Sequence, residues 1–192
     1  MPPKYGVVSK AYIEPTKAQN AGQGELNTTL DLYILSSNNL NQLTTGSAAL
    51  KQNLSTYLSQ YRIIGDTINI KDAFIVNIGV DFDIIILPEY VNSEVLTNCI
   101  SELQAYFATS EWQVNEPIVL RELYLLLDRV EGVQTVKTIT ISNKVGTSNG
   151  YSQFAYDVNG ANIGGVIYPS IDPMIFEVKY PQSDIRGRVV PL

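Results

Sequence analysis

Between Val76 and Ile86 the chain alternates apolar and polar side chains. Val76, Ile78, Val80, Phe82, Ile84 and Ile86 stand against Asn77, Gly79, Asp81 and Asp83. Successive side chains of a strand point to opposite faces, so this run demands a β-strand with one buried face and one wet face. The rest of the chain must therefore build a sheet around it and cover one side. Helical signals flank the strand on both sides, and further strand signals lie at both ends of the chain. That order predicts an α+β fold, with an antiparallel or mixed sheet, about three helices and an extended Pro-rich C-terminal arm.

The other elements follow from local pattern. Gly6 to Ile13 and Leu30 to Leu35 read as strands able to pair as an antiparallel hairpin, with Glu14 to Thr28 as a long polar loop. Leu30, Leu32 and Ile34 share one face. Ser47 can cap a helix reaching about Tyr61, with Leu50, Leu54, Tyr57, Leu58 and Tyr61 as its buried stripe. Gly65-Asp66 ends that unit, and Ile68 and Ile70 suit a short strand or turn. Pro88 stops the central strand. Asn92 or Ser93 can cap a second helix, with Glu94 in its first turn and Val95, Leu96, Cys99, Ile100, Leu103, Tyr106 and Phe107 on one face. Pro117 suits the first turn of a third helix carried by Leu120, Leu123, Leu126, Leu127 and Val130 and ended by Gly132. Val133 to Ser142 is a further strand with Ile139 and Ile141 inward. Tyr151 to Val158 reads as a strand, Asn159-Gly160 as a hairpin turn, and Gly164 to Ile167 as the return. These elements suggest a core domain over residues 1–143 and a hairpin with its arm over 144–192.

The arm is unusual. Four of the nine prolines fall between Tyr168 and Leu192. Each fixes its own φ and pushes the preceding residue toward extended geometry, which argues against helix and against a central strand. Yet Tyr168, Ile171, Met174, Ile175, Phe176, Val178 and Tyr180 carry too much apolar surface for a free tail. The arm must pack on its own domain or on a neighbouring subunit.

Composition removes several classes of function. The net charge is −6 and no run of Lys or Arg occurs, so a nucleic-acid footprint is absent. No histidine is available as a base or metal ligand, and the single cysteine, Cys99, allows neither an internal disulfide nor a cysteine-based zinc site. Cys99 reads as a small buried hydrophobe. The longest apolar run, Ile84 to Leu87, is too short to span a membrane, and the N-terminus carries no signal peptide. Charged residues make up only 17% of the chain, which fits either a surface covered by partners or one rich in Ser, Thr and Asn.

Chemistry is sparse. Asp81 and Asp83 share a strand face, and Glu111 and Glu116 flank Trp112. The first pair reads best as a solvated face. The second reads best as a helix-start Glu beside a core Trp. A carboxylate-dependent hydrolase using either pair is the weaker reading. There is no phosphate loop, nucleophile elbow or metal cluster, so no catalytic residue, cofactor, metal or small-molecule substrate is expected. Arg186-Gly187-Arg188 is the only basic pair and could fork onto carboxylates.

The tail from Tyr168-Pro169-Ser170-Ile171-Asp172-Pro173-Met174-Ile175-Phe176-Glu177-Val178-Lys179-Tyr180-Pro181 to Asp184-Ile185-Arg186-Gly187-Arg188 resembles the C-terminal end of baseplate wedge proteins of contractile-tailed bacteriophages, the ring-forming baseplate J-like group. Leu50-Lys51 to Tyr61-Arg62, Asp66-Thr67-Ile68 to Asn77-Ile78, Trp112 to Ile118 and Gly132 to Val136 agree with it. The resemblance implies a non-enzymatic virion protein, assembled in the host cytoplasm and located in the tail baseplate. Such subunits dimerise, hold other wedge proteins, link wedges into a ring around the hub, and rearrange on contraction. They are several times longer, so this chain is expected to correspond to their C-terminal part. The candidate subunit interface is Tyr168, Pro169, Asp172, Pro173, Phe176, Val178, Tyr180, Arg186 and Arg188. On this reading, removing Gln182 to Leu192 weakens assembly and leaves melting unchanged. The alternative is a phage carbohydrate- or receptor-binding module using Trp112 and the tyrosines.

Overall fold

The computed structural model describes residues 7–16, 29–61, 67–170 and 173–191. It is an α+β protein in two compact units, Met1–Ala73 and Phe74–Leu192.

In the first unit, β1 (Val8–Pro15) pairs antiparallel with β2 (Thr29–Ser37), as the hairpin reading expects. Positions 17–28 of the expected loop lie outside the described residues, as does Gly65-Asp66. β3 (Leu43–Thr45) adds antiparallel to β2. α1 (Ala48–Ser59) starts at Ser47, whose side chain accepts from the Leu50 N–H. β4 (Thr67–Asp72) lies parallel to β2, so the sheet is mixed. The predicted stripe on α1 is not buried as a whole. Leu50 is buried, while Tyr57 and Tyr61 are exposed, their rings 5.1 Å apart and tilted at 52°. Lys51 in the first turn pairs with Asp72, and Ser55, Leu58 and Ser59 farther along the helix line a shallow groove with Ile68 of β4. On β2 the buried polar residue is Asp31, which accepts from Lys71 Nζ at 2.8 Å and Asn69 Nδ2 at 3.0 Å. Burial alone would raise its pKa, but these hydrogen bonds outweigh it and hold the carboxyl below its ordinary value.

The second unit is organised by β5 (Phe74–Ile86), the alternating strand. Val76, Ile78, Val80, Phe82 and Ile84 are all buried. Helices α2 (Asn92–Tyr106) and α3 (Leu120–Asp128) cover that face with Val95, Cys99, Leu103, Leu123 and Leu127. Two starts differ from expectation. α2 begins after Val91 without a side-chain cap. Ile118–Val119 is a short strand, β6, so Pro117 precedes a strand and α3 begins at Leu120. Gly132 follows α3 at φ 91°, and a Cβ there would lie 2.7 Å from Val95 and 2.8 Å from Tyr90. β7 (Val133–Asn143) runs antiparallel along one edge of β5. A register shift opposite Asp83/Ile84 adds a residue to β7 and turns Val136 to the same buried face as Ile139 and Ile141.

The expected strand over Tyr151 to Val158 does not form. β8 (Asn162–Ile163) and β9 (Val166–Ile167) make the hairpin, and β9 also pairs with β6. Its turn is Gly164-Gly165, at φ 63° and 85°, the left-handed pair that a tight two-residue hairpin requires. Asn159-Gly160 is instead a local turn closed by Asp157.

The proline-rich end is part of this unit. β10 (Met174–Glu177), the single-turn helix α4 (Pro181–Asp184) and β11 (Ile185–Val189) follow one another, and both strands pair in parallel with β5. The Phe74 N–H donates to Pro173 O at 3.0 Å, and Ile84 O accepts from Val190 N–H at 2.9 Å. β10 and β11 therefore share the edge of β5 opposite β7. Pro173 and Pro181 do not block this: one precedes a strand, and the other opens a helical turn, where its missing N–H costs nothing. The expected division at 143/144 thus falls inside the second unit.

Candidate functional site

The candidate interface residues divide by burial. Pro173, Phe176 and Val178 are buried in their own unit. Phe176 is 2% exposed and sits edge-on to Tyr156 at 5.5 Å. These are core residues, because parallel pairing with β5 turns the arm's apolar side chains into the second unit. Tyr180 is half-buried against Tyr151 at 5.4 Å. Pro169 is half-buried, and Asp172 lies outside the described residues. Tyr168 is 48% exposed and belongs to the hairpin, where its carbonyl accepts from the Tyr156 hydroxyl. Arg186 and Arg188 are exposed on β11.

A buried polar network pins the arm. Asn77 lies on the face of β5 expected to be wet, yet it is fully buried. Its Nδ2 donates to Glu177 Oε2 at 2.7 Å, and its Oδ1 accepts from Ser152 N–H at 2.6 Å. The segment after β7 covers this half of the face. Asp184, also buried, accepts from the Tyr151 hydroxyl at 2.6 Å and from Tyr180 N–H at 3.0 Å. Burial, reinforced by the bond to Asp184, pushes the Tyr151 hydroxyl up to about 12. Sequence reasoning missed Asn77, Glu177 and Asp184. Period-two alternation assigns Asn77 to solvent, and only the returning chain removes it from water.

The other half of that face stays open. The register sets Arg186 beside Asp81 and Arg188 beside Asp83. Arg188 forks onto Asp83, with Nε to Oδ1 at 2.9 Å and Nη2 to Oδ2 at 3.0 Å. At this exposure the pair is worth under about 1 kcal/mol. Arg186 donates Nε to Ser183 O at 2.8 Å and makes no ion pair with a described residue. An open groove of about 700 Å³ runs here, lined by Asp81, Phe82, Ile100, Ile185, Arg186 and Arg188.

The sheet's edges are finished differently. Beyond β7, Val136 N–H donates to Asp128 Oδ1 at 3.2 Å and Ile139 N–H to the Tyr124 hydroxyl at 3.1 Å. Beyond β10, Asn115 takes both backbone groups of Met174: its Oδ1 accepts from Met174 N–H at 2.9 Å and its own N–H donates to Met174 O at 2.7 Å. Asn115 holds φ 63°, a conformation asparagine tolerates better than most residues. β11 pairs with β5 alone.

Several groups named by the chemical alternatives have structural partners. Arg188 occupies both oxygens of Asp83. Glu116 Oε2 accepts from Gln113 N–H at 2.7 Å and so closes a turn. Trp112 is 4% exposed, packed against Tyr106 and Phe107, and offers no stacking platform to a sugar. Among the described residues no cluster of three or more Asp, Glu or Cys is placed to hold a metal, and no helix is long and apolar enough to cross a membrane.

No protein-family model and no curated protein matches the chain. The fold is shared with a chain in the cryo-EM structure of the anti-feeding prophage baseplate, at a TM-score of 0.50 and 14% identity over 77% of this chain. The match covers 29% of the length of that baseplate chain.

Proposed function

We propose that this protein is a structural subunit of the tail baseplate of a phage-type contractile machine. In this reading it is a wedge-type subunit. It joins neighbouring wedges into a ring around the hub, associates with a second copy and with other wedge proteins, and takes part in the rearrangement on contraction. The observation that carries the reading is the fold shared, over most of the chain, with a chain of a contractile-system baseplate. The tail motif points the same way independently. Among the described candidate interface residues, Tyr168, Arg186 and Arg188 are exposed, and they form the proposed contact. The role requires no catalytic residue. The carbohydrate-binding alternative has less support because Trp112 is buried.

The test has two parts. Light scattering across a concentration series should give a dimer, and mass spectrometry of purified tail particles should detect the chain in the baseplate fraction. A chain that stays monomeric and is absent from the particles would sink the proposal.

A further inference from the structure

The second unit caps the outer edges of β7 and β10 with side chains, and no described residue caps the outer edge of β11. Val190 N–H points inward to Ile84, so strand alternation turns the backbone groups of Gly187 and Val189 away from β5. An uncapped edge is a template for another strand, and proteins ordinarily blunt such edges. Here the edge lies in a groove with two unlike walls. One wall carries Phe82, Ile100 and Ile185, and the other carries Asp81, Arg186 and Arg188. Gly187 supports the first wall, because a Cβ there would run into the Phe82 ring and Leu96. Glycine lets β11 lie flat under α2 with its outer edge unobstructed.

We propose that the outer edge of β11 accepts an extended segment of a neighbouring subunit by strand addition, and that this segment alternates acidic and apolar residues. An added strand puts alternate side chains on opposite faces. Those on the open face meet Arg186, which makes no ion pair with a described residue, and Arg188, already paired with Asp83. A carboxylate opposite Arg186 gains a charge-assisted pair. The alternate side chains meet Phe82, Ile100 and Ile185, where apolar groups fit. Pairing of β11 with a second copy of itself is disfavoured. Antiparallel pairing about Gly187 would set Arg186 of each copy opposite Arg188 of the other, and like charges directly opposite destabilise a ladder. The identity of the segment's owner rests on the baseplate reading; the chemistry of the groove does not.

Fluorescence anisotropy of the full chain with short labelled peptides tests this. The probe alternates valine with glutamate, and its control carries lysine in place of glutamate. The glutamate probe should bind at least about tenfold more tightly, and Arg186→Glu should reverse the preference. N-methylating the probe on alternate residues should abolish binding in one phase and spare it in the other, because only one set of N–H groups faces β11. Arg186 is exposed, so its variant should fold normally, and the methylated probes leave the protein untouched. Absence of saturable binding, or binding indifferent to charge and to methylation phase, would overturn the proposal. No baseplate protein is present in this assay, so its failure would leave the proposed function standing, and a failed particle analysis would leave peptide binding standing.

Discussion

Phe176→Ala separates an arm that is core from an arm that awaits a partner. Phe176 is 2% exposed, lies on β10 beside β5 and meets Tyr156 edge-on. Truncating a buried Phe costs about 3–5 kcal/mol, and the aromatic pair places this site near the middle of that range or above it. For a unit of this size about 4 kcal/mol lowers Tm by roughly 15 °C. The assay is urea unfolding at two protein concentrations, followed by tryptophan fluorescence. Trp112 is the chain's single tryptophan and is buried in the same unit, so the signal reports that unit alone. The midpoint should fall, with an unchanged slope, equally at both concentrations. A loss below about 1 kcal/mol, or one that vanishes in the monomer range, would refute the core assignment.

The same reasoning reverses the expectation for removal of Gln182 to Leu192. That deletion takes away β11, including the buried Ile185, and should cost more than about 2 kcal/mol in the monomer by the same fluorescence assay. Gly132→Ala forces a side chain to φ 91° and against Val95 and Tyr90, and should cost about 1–3 kcal/mol in thermal melts. Asp31 ionises more readily folded than unfolded. Its contribution is therefore complete above the ordinary value of 3.8 and drains as pH falls through the lowered native value. Asp31→Asn should flatten the acid limb of a circular-dichroism Tm profile. Burial pushes the Cys99 thiol up to about 11, so thiol reagents at pH about 8 should label the native chain far more slowly than the unfolded one.

Residues whose role is set by near neighbours were legible in the sequence. The buried apolar face of β5, the apolar face of α2, the Ser47 cap and the glycine after α3 all appear where pattern and propensity place them, because each depends on a period or a backbone angle set within a turn or two. The α+β class followed from their order. The surface position of Arg186 and Arg188 followed from charge, which resists burial without a partner.

What the chain could not disclose locally was which segments return to β5. The prolines of the arm read as obstacles to a central strand, and period two sent Asn77 to solvent. The first holds, because β10 and β11 are edge strands with no proline inside them, and the second fails. Burial is a property of the whole sheet, and β10 and β11 reach β5 only after nearly a hundred intervening residues. Their return buries Phe176, gives Asn77 and Glu177 each other as partners, and leaves β11 as an edge strand. Sequence by itself determined the main strands and helices before the arm and the wet charges of the β5 face. Tertiary pairing alone decided that the arm is core and that its last strand forms an edge of the sheet.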